Sequence, residues 1–299
     1  FFRFPGGDLG FTYRSGRSGD GVELINRFDG ERWRREVSTP LLAPAPGGER
    51  VNAYHTGYVP GPDGQFHMAW VWRKTPDAQT NFHVNYARSP DLRAWFDSRG
   101  RRLALPMTPA HAEVADPVPT DSGLMNNVKL GFDAEGRPII SYIKFDADGH
   151  TQLYHARAAE GGWQIAPATQ WRYRWAFGGR GTLVGEISFS GVRTTNDGRL
   201  VEDVSHRIYG RQQIELDATD LSGTMHPAPA GRARPGFLRP QEPYRTVGRA
   251  LRQEGAGGVA GEIRWHSLGS ANNDRPRSCE SSGLPPDCRM TGPLQLWVD

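Results

Sequence analysis

Long apolar runs are missing from this chain: no stretch of about 18 consecutive apolar residues occurs in its 299 positions, so no membrane-spanning helix is expected. Cysteine is nearly missing as well. The two present, Cys279 and Cys288, lie close together in a Pro/Ser-rich segment, a spacing that leaves open one loop-closing disulfide or two free thiols. Room for long helices is lacking, because 37 Gly and 23 Pro place a breaker at about every fifth position. The charge balance is weak, a formal +3 with a pI of about 9.0. Arg greatly outnumbers Lys, but the cations are scattered, and neither zinc-finger spacing nor an RNP-type aromatic motif accompanies them, so nucleic acid is not an expected partner.

What is present is one pattern written three times: a Gly-led turn, a short apolar strand ending in an aromatic, a polar insertion, a second strand ending in Arg, then Trp. It runs from Gly7 through Tyr13 to Arg27 and Trp33, from Gly64 through Trp70 to Arg88 and Trp95, and from Gly136 through Tyr142 to Arg157 and Trp163. Self-similarity at this period, with each unit a meander of short strands, predicts an all-β fold of the β-propeller type, since no blade can bury its faces alone. At about 45 residues per blade the length allows six to seven blades, and a seven-bladed ring forming one domain over residues 1–299 is expected. Phe1-Phe2-Arg3-Phe4-Pro5 reads as the end of a strand already under way, so residues upstream, a signal peptide among them, are expected to be missing. A secreted or periplasmic monomer follows from these readings.

Further strands are expected at Gly181–Ser188 and Arg199–Val204, loop composition between Ser222 and Pro243, and a last half-buried strand carrying Leu294, Leu296 and Val298. That strand is the candidate for closing the ring.

Chemistry gathers in the second and third repeats. His67 lies on the first strand of the second repeat. Across an insertion, period-two alternation assigns Asn81, His83 and Asn85 to one strand face and Phe82, Val84 and Tyr86 to the other. The third repeat carries Tyr142 and Lys144, then Gln152, Tyr154, His155 and Arg157. Two imidazoles, a phenol and several cations converging on one axial surface would suit proton transfer beside an anionic group. Bland roles compete with that reading. Tyr142 has aromatic counterparts in Tyr13 and Trp70, and Arg157 has counterparts in Arg27 and Arg88, which fits packing and blade-tying; His150 and His206 read as surface or turn residues. No cofactor is expected, and His67, His83 and His155 show no tight metal-ligand spacing, which leaves a structural zinc or calcium ion as the least favoured alternative.

The run Trp70-Val71-Trp72-Arg73-Lys74-Thr75-Pro76-Asp77, with Thr80-Asn81, Tyr86-Ala87-Arg88-Ser89-Pro90-Asp91-Leu92, Trp95 and Thr151 to Arg157, resembles the BNR-4 repeat propellers. Ser89 to Trp95 also resembles a degenerate Asp-box. The resemblance implies lyase chemistry of the ulvan and rhamnose-glucuronate lyase type: β-elimination on an acidic, uronate-containing polysaccharide, with His83 or His67 and Tyr142 moving protons and Arg157 neutralising the carboxylate. Asn81, Arg73, Trp72, Lys144 and His155 would bind the polymer. Where the family pattern reads Thr-Asn-His, this chain has Thr80-Asn81-Phe82, with His83 one place later; on a regular strand such a shift reverses the face. A noncatalytic carbohydrate-binding propeller, with Trp70, Trp72 and Tyr142 as platform, is the alternative. A sialidase-like glycosidase ranks third, because Glu23 and Glu186 are not paired in the sequence.

Overall fold

The computed structural model describes residues 1–228 apart from Pro5 and Thr182, together with five short strands beyond them. Backbone contacts divide the chain into two units, Phe1–Pro229 and Ala230–Asp299. The first unit is all-β: successive antiparallel sheets and, among the described residues, one turn of 3-10 helix at Ala78–Thr80. No helix among them is long and apolar enough to cross a membrane.

Sheet one runs β1 (Phe2–Arg3), β2 (Leu9–Arg17), β3 (Asp20–Phe28), β4 (Trp33–Arg35) in spatial order. In sheet two, β5 (Asn52–His55) and β6 (Val59–Pro60) both pair with β7 (Phe66–Arg73), which pairs with β8 (Asn81–Ser89). The far side of β8 takes β9 (Trp95–Phe96), extended by β10 (Arg102–Leu103), and β11 (Glu113–Asp116). Sheet three is β12 (Lys129–Phe132), β13 (Pro138–Phe145), β14 (Thr151–Ala159), β15 (Gly162–Pro167). In sheet four, β16 (Ile187–Phe189) and β17 (Arg193–Thr194) share β18 (Leu200–His206), followed by β19 (Gly210–Leu216) and β20 (Gly223–Pro227). The repeated pattern thus supplies strands two to four of the first three sheets. The strands that precede it are short and carry no Gly-led turn, so the pattern does not announce them.

Local chemistry sets these turns. Asp133 accepts a hydrogen bond from the Arg137 backbone amide at 2.8 Å, and Gly136 takes φ +78 to let the chain reverse into β13. In the Asp-box-like segment, Asp91 accepts from the amides of Arg93 and Ala94, both at 2.8 Å, and Trp95 is buried behind the turn. The repeated Arg holds each unit to a carboxylate: Arg27 to Asp8 at 3.3 Å, Arg88 to Asp63 at 3.4 Å, Arg157 to Asp133 at 3.8 Å.

Both faces of the middle sheets are buried, as the repeat requires. Ile25 joins Trp70, Trp72 and Trp95 in one core. Val71, Val84 and Tyr86 meet Ile140 and Tyr142 in a second, and Ile139, Ile143 and Leu153 meet Val204 and Ile214 in a third.

Three local expectations change. Among the described residues of the Gly181–Ser188 stretch only Ile187 and Ser188 are strand, the start of β16 (Ile187–Phe189), where Ile187 and Phe189 have a core to enter. Gly223–Pro227, read as loop from its composition, pairs with β19 as an edge strand. His206, read as surface or turn, is 2% exposed between Trp171, Tyr173 and Tyr209. In the second unit, β21 (Thr246–Val247) pairs with β24 (His266–Ser267), and β22 (Leu251–Glu254), β23 (Ala260–Arg264) and β25 (Gln295–Val298) form a three-stranded sheet. The expected last strand is therefore present as β25, while Cys279 and Cys288 lie outside the described residues.

One glycine decides how sheet one meets sheet two. At the β2–β3 tip, Gly19 (φ +79) donates its amide to Asn52 Oδ1 at 2.5 Å, and a Cβ there would lie 2.5 Å from the Thr75 carbonyl carbon. Gly19→Ala is expected to cost on the order of 1–3 kcal/mol, combining left-handed backbone strain with backbone overlap. Urea unfolding of the two chains measures it.

Candidate functional site

The site is built where the β7–β8 hairpin loses its regularity. Val71 faces Val84 but Trp72 faces Phe82, so His83 is a surplus residue with no partner on β7. Its φ is +51, and its amide donates to Val118 O at 2.8 Å. The bulge overturns the expected alternation. Phe82 now packs with Trp70 and Trp72, while Val84 and Tyr86 enter the core shared with sheet three. Asn81, opposite Arg73, and Asn85, opposite Trp70, fall on different faces rather than one.

On the face toward sheet three, Arg73 is 7% exposed. Its guanidinium donates to Asn81 Oδ1 at 2.7 Å, Asn126 Oδ1 at 2.7 Å, Tyr54 OH at 3.1 Å and Ser18 Oγ at 3.4 Å. All four acceptors are neutral, and among the described residues no carboxylate lies within ion-pair distance. Burial lowers its affinity for its own proton. The charge of Asp77 favours the proton without bonding the guanidinium, and a buried cation so placed is a costly arrangement unless a closer anion completes it.

A second group is built on β11 and β13. Asp116, at the end of β11, accepts from Tyr142 OH at 2.5 Å and Lys144 Nζ at 2.6 Å. Its charge reaches His83. Burial pushes the His83 imidazole below its ordinary value, outweighing the Val118 carbonyl and Asp116, which favour the proton, while Lys74 opposes it. His83 is thus a neutral, half-buried imidazole at neutral pH. Tyr142 is 0% exposed, and burial followed by the Asp116 charge raises its phenol well above the usual range.

The structure does not bring the other expected residues here. His67 sits at the opposite end of the hairpin, facing Arg88, five positions and therefore about 16 Å of strand from Trp72. It is 2% exposed, with Nδ1 2.5 Å from Tyr86 OH and Nε2 2.8 Å from Asp63. His155 is sealed between sheets three and four, 2.5 Å from Glu202. Arg157 is spent on the carbonyls of Ala218 and Thr219, on Gln164 and on Asp133, tying those same sheets. Trp72, with Trp70, is fully buried and presents no ring to a ligand, because the face it occupies packs against sheet one. Glu23 bonds Thr12 and His55, and Glu186 bonds Tyr173 and Arg207, so these carboxylates are separate. Among the described residues no three of His, Cys, Asp or Glu gather in a metal-binding group.

Four contributors escaped the sequence reading: Tyr54, Ser18, Asn126 and Asp116. Tyr54 stands inside the quoted family-like region's neighbour, β5, without a polar pattern around it. Asp116 belongs to a four-residue strand whose pairing with β8 no local signal gives.

The sequence pattern of the BNR repeat-containing family matches residues 1–171. The chain belongs to that family. Comparison with curated proteins gives no match. Among solved structures, this BNR-repeat chain is similar to an ulvan lyase bound to -[GlcA(1-4)Rha3S]-, at TM-score 0.55 and 14% identity over 75% of this chain and 53% of that one. The polysaccharide lyase Uly1 follows at 0.50 and 16%, covering 92% and 55%. A further ulvan lyase structure stands at 0.51 and 12%, covering 90% and 61%. At such identities the likeness establishes a shared all-β fold, and the BNR-repeat chain spans little more than half the length of these lyases.

Burial holds His67, His83 and His206 below the ordinary imidazole value of 6.5. The unfolded chain then binds more protons than the native one just below that value, so stability rises with pH there. Unfolding free energy is expected to decline as pH falls from neutrality through 6.5 toward the native values, measured by urea denaturation across that range. A flat profile would contradict the burial assigned to these rings.

Proposed function

We propose that this BNR-repeat chain is a secreted polysaccharide lyase acting on a uronate-containing polymer by β-elimination, its sheets being blades of a β-propeller that is seven-bladed in its complete form. The observation that carries the reading is Arg73, a buried guanidinium whose hydrogen-bond acceptors are all neutral, on the same β7–β8 hairpin as the neutral imidazole of His83. Elimination needs that pair. A cation against the carboxylate makes the C5 proton acidic enough to leave, and a neutral imidazole takes it. Arg73 suits the neutralising role better than Arg157 because its hydrogen-bond acceptors are neutral, whereas Arg157 already faces the Asp133 carboxylate at 3.8 Å. His83 suits the base role better than His67, whose two nitrogens already have partners.

Asn81 and Asn126 fix the Arg73 fork through its Nε and Nη2 atoms, and Asn81 is itself anchored to Leu124 O at 2.8 Å. Lys144, paired with Asp116 at 2.6 Å, is a further cation for an anionic sugar in this reading. The noncatalytic carbohydrate-binding reading shares the cations but has lost its expected platform, since Trp70, Trp72 and Tyr142 are all buried.

The test is the ultraviolet absorbance of a C4–C5 unsaturated uronate during incubation with ulvan, gum arabic and other glucuronate-bearing polymers. His83→Asn is the better control than alanine, because Asn tolerates the left-handed backbone at this position. Product from the wild-type chain is expected, with a fall of about 100-fold or more in the variant. Binding without product in the wild type would select the carbohydrate-binding reading, and full activity in the variant would move the base elsewhere.

A further inference from the structure

We propose that Tyr54 is the general acid that protonates the departing O4, an assignment that rests on the lyase reading above. The phenol expected for this task, Tyr142, is closed off and donates to Asp116 at 2.5 Å, so giving up its proton there would set phenolate against carboxylate. Tyr54 has the opposite surroundings. It stands half-buried on β5, facing Val71, with the Arg73 guanidinium 4.3 Å and the exposed Arg14 guanidinium 5.2 Å from its ring centroid. Its hydroxyl lies 2.8 Å from Ser18 Oγ and accepts from Arg73 Nη1 at 3.1 Å. Among the described residues no carboxylate is bonded to it.

A phenolate formed there is stabilised twice over, and it forms one hydrogen bond away from the guanidinium assigned to the substrate carboxylate. Burial pushes the phenol up, but Ser18, Arg73 and Arg14 together bring it below the ordinary tyrosine value. An acid whose affinity for its proton moves toward the working pH donates more effectively in the transition state. In the step itself the C5–H electron pair becomes the C4–C5 π bond and the C4–O4 pair leaves on oxygen. His83 gains the C5 proton and O4 takes the Tyr54 proton. Solvent exchange then returns one proton to Tyr54 and removes one from His83.

The experiment compares wild type, Tyr54→Phe and Tyr142→Phe in the full chain on a uronate oligosaccharide and on a uronate carrying fluoride at C4, a leaving group that needs no proton. Tyr54→Phe is expected to lose about 100-fold or more in kcat on the oligosaccharide with little change in KM, and to recover on the fluoride. A tyrosinate absorbance titration, independent of turnover, is expected to show one phenol ionising early in the wild type, later in Arg14→Gln and absent in Tyr54→Phe. Equal losses on both substrates, no loss, or an early phenol that persists in Tyr54→Phe would overturn the assignment. No product from the wild type on either substrate would instead overturn the lyase reading, and the acid role with it.

Discussion

Val71 and Trp72 are neighbours on β7, yet the residues facing them, Val84 and Phe82, are two apart on β8, and the site depends on that surplus. His83 occupies it in a left-handed conformation, which costs a non-glycine residue about 1–2 kcal/mol. Two hydrogen bonds offset the strain: the His83 amide to Val118 O at 2.8 Å, and the Asn85 side-chain amide to His83 O at 3.1 Å, each worth roughly 1 kcal/mol. The consequence is a change of phase. Beyond the bulge Asn81 shares a face with Arg73 and Val84, so an amide oxygen stands ready for the guanidinium where regular pairing would have set an aromatic ring. The departure from Thr-Asn-His acquires a physical sense in the same terms, because a bulged residue is not bound to either face by alternation.

The charge distribution around this kink is uneven by construction. Lys144 and Asp116 cancel one another at 2.6 Å, and Lys74 is paired with Glu49 at 2.8 Å. Arg73 is hydrogen-bonded by neutral groups, and among the described residues no carboxylate bonds it. Its position nevertheless demands docking from three directions: Ser18 from the β2–β3 tip, Tyr54 from β5, and Asn126 from the segment after β11. Gly19 makes the first of these contacts sterically available, since only a residue without Cβ can approach Thr75 so closely.

The four-stranded meanders were legible in the sequence because they are written in local signals: Asp-x-x-Gly turns, alternating apolar strands, and a Trp closing each unit. Their first strands were not, being two to four residues long and defined only by pairing with the next. At the site, His83, Arg73, Asn81, Tyr142 and Lys144 were named from sequence, but the face each occupies was not recoverable. Register follows from partners far along the chain, and one extra residue in β8 reverses it. Asp116 and Tyr54 were hidden for the same reason, since their importance lies in what two other sheets place beside them.

Recurrence itself separates scaffold from chemistry here. Residues that return in every unit are engaged by the unit: Arg27, Arg88 and Arg157 each hold a carboxylate, and Trp70 and Tyr142, at equivalent positions, are both buried. A position that every blade-like sheet needs for its own stability has its hydrogen-bonding capacity committed before any ligand arrives. Arg73, Tyr54 and His83 belong to no repeated position, and they are the ones left with a charge uncompensated, a phenol flanked by cations, or an imidazole kept neutral. Arg157 is committed between sheets three and four for the very reason it was visible, whereas Arg73, invisible to the repeat, is held by neutral partners.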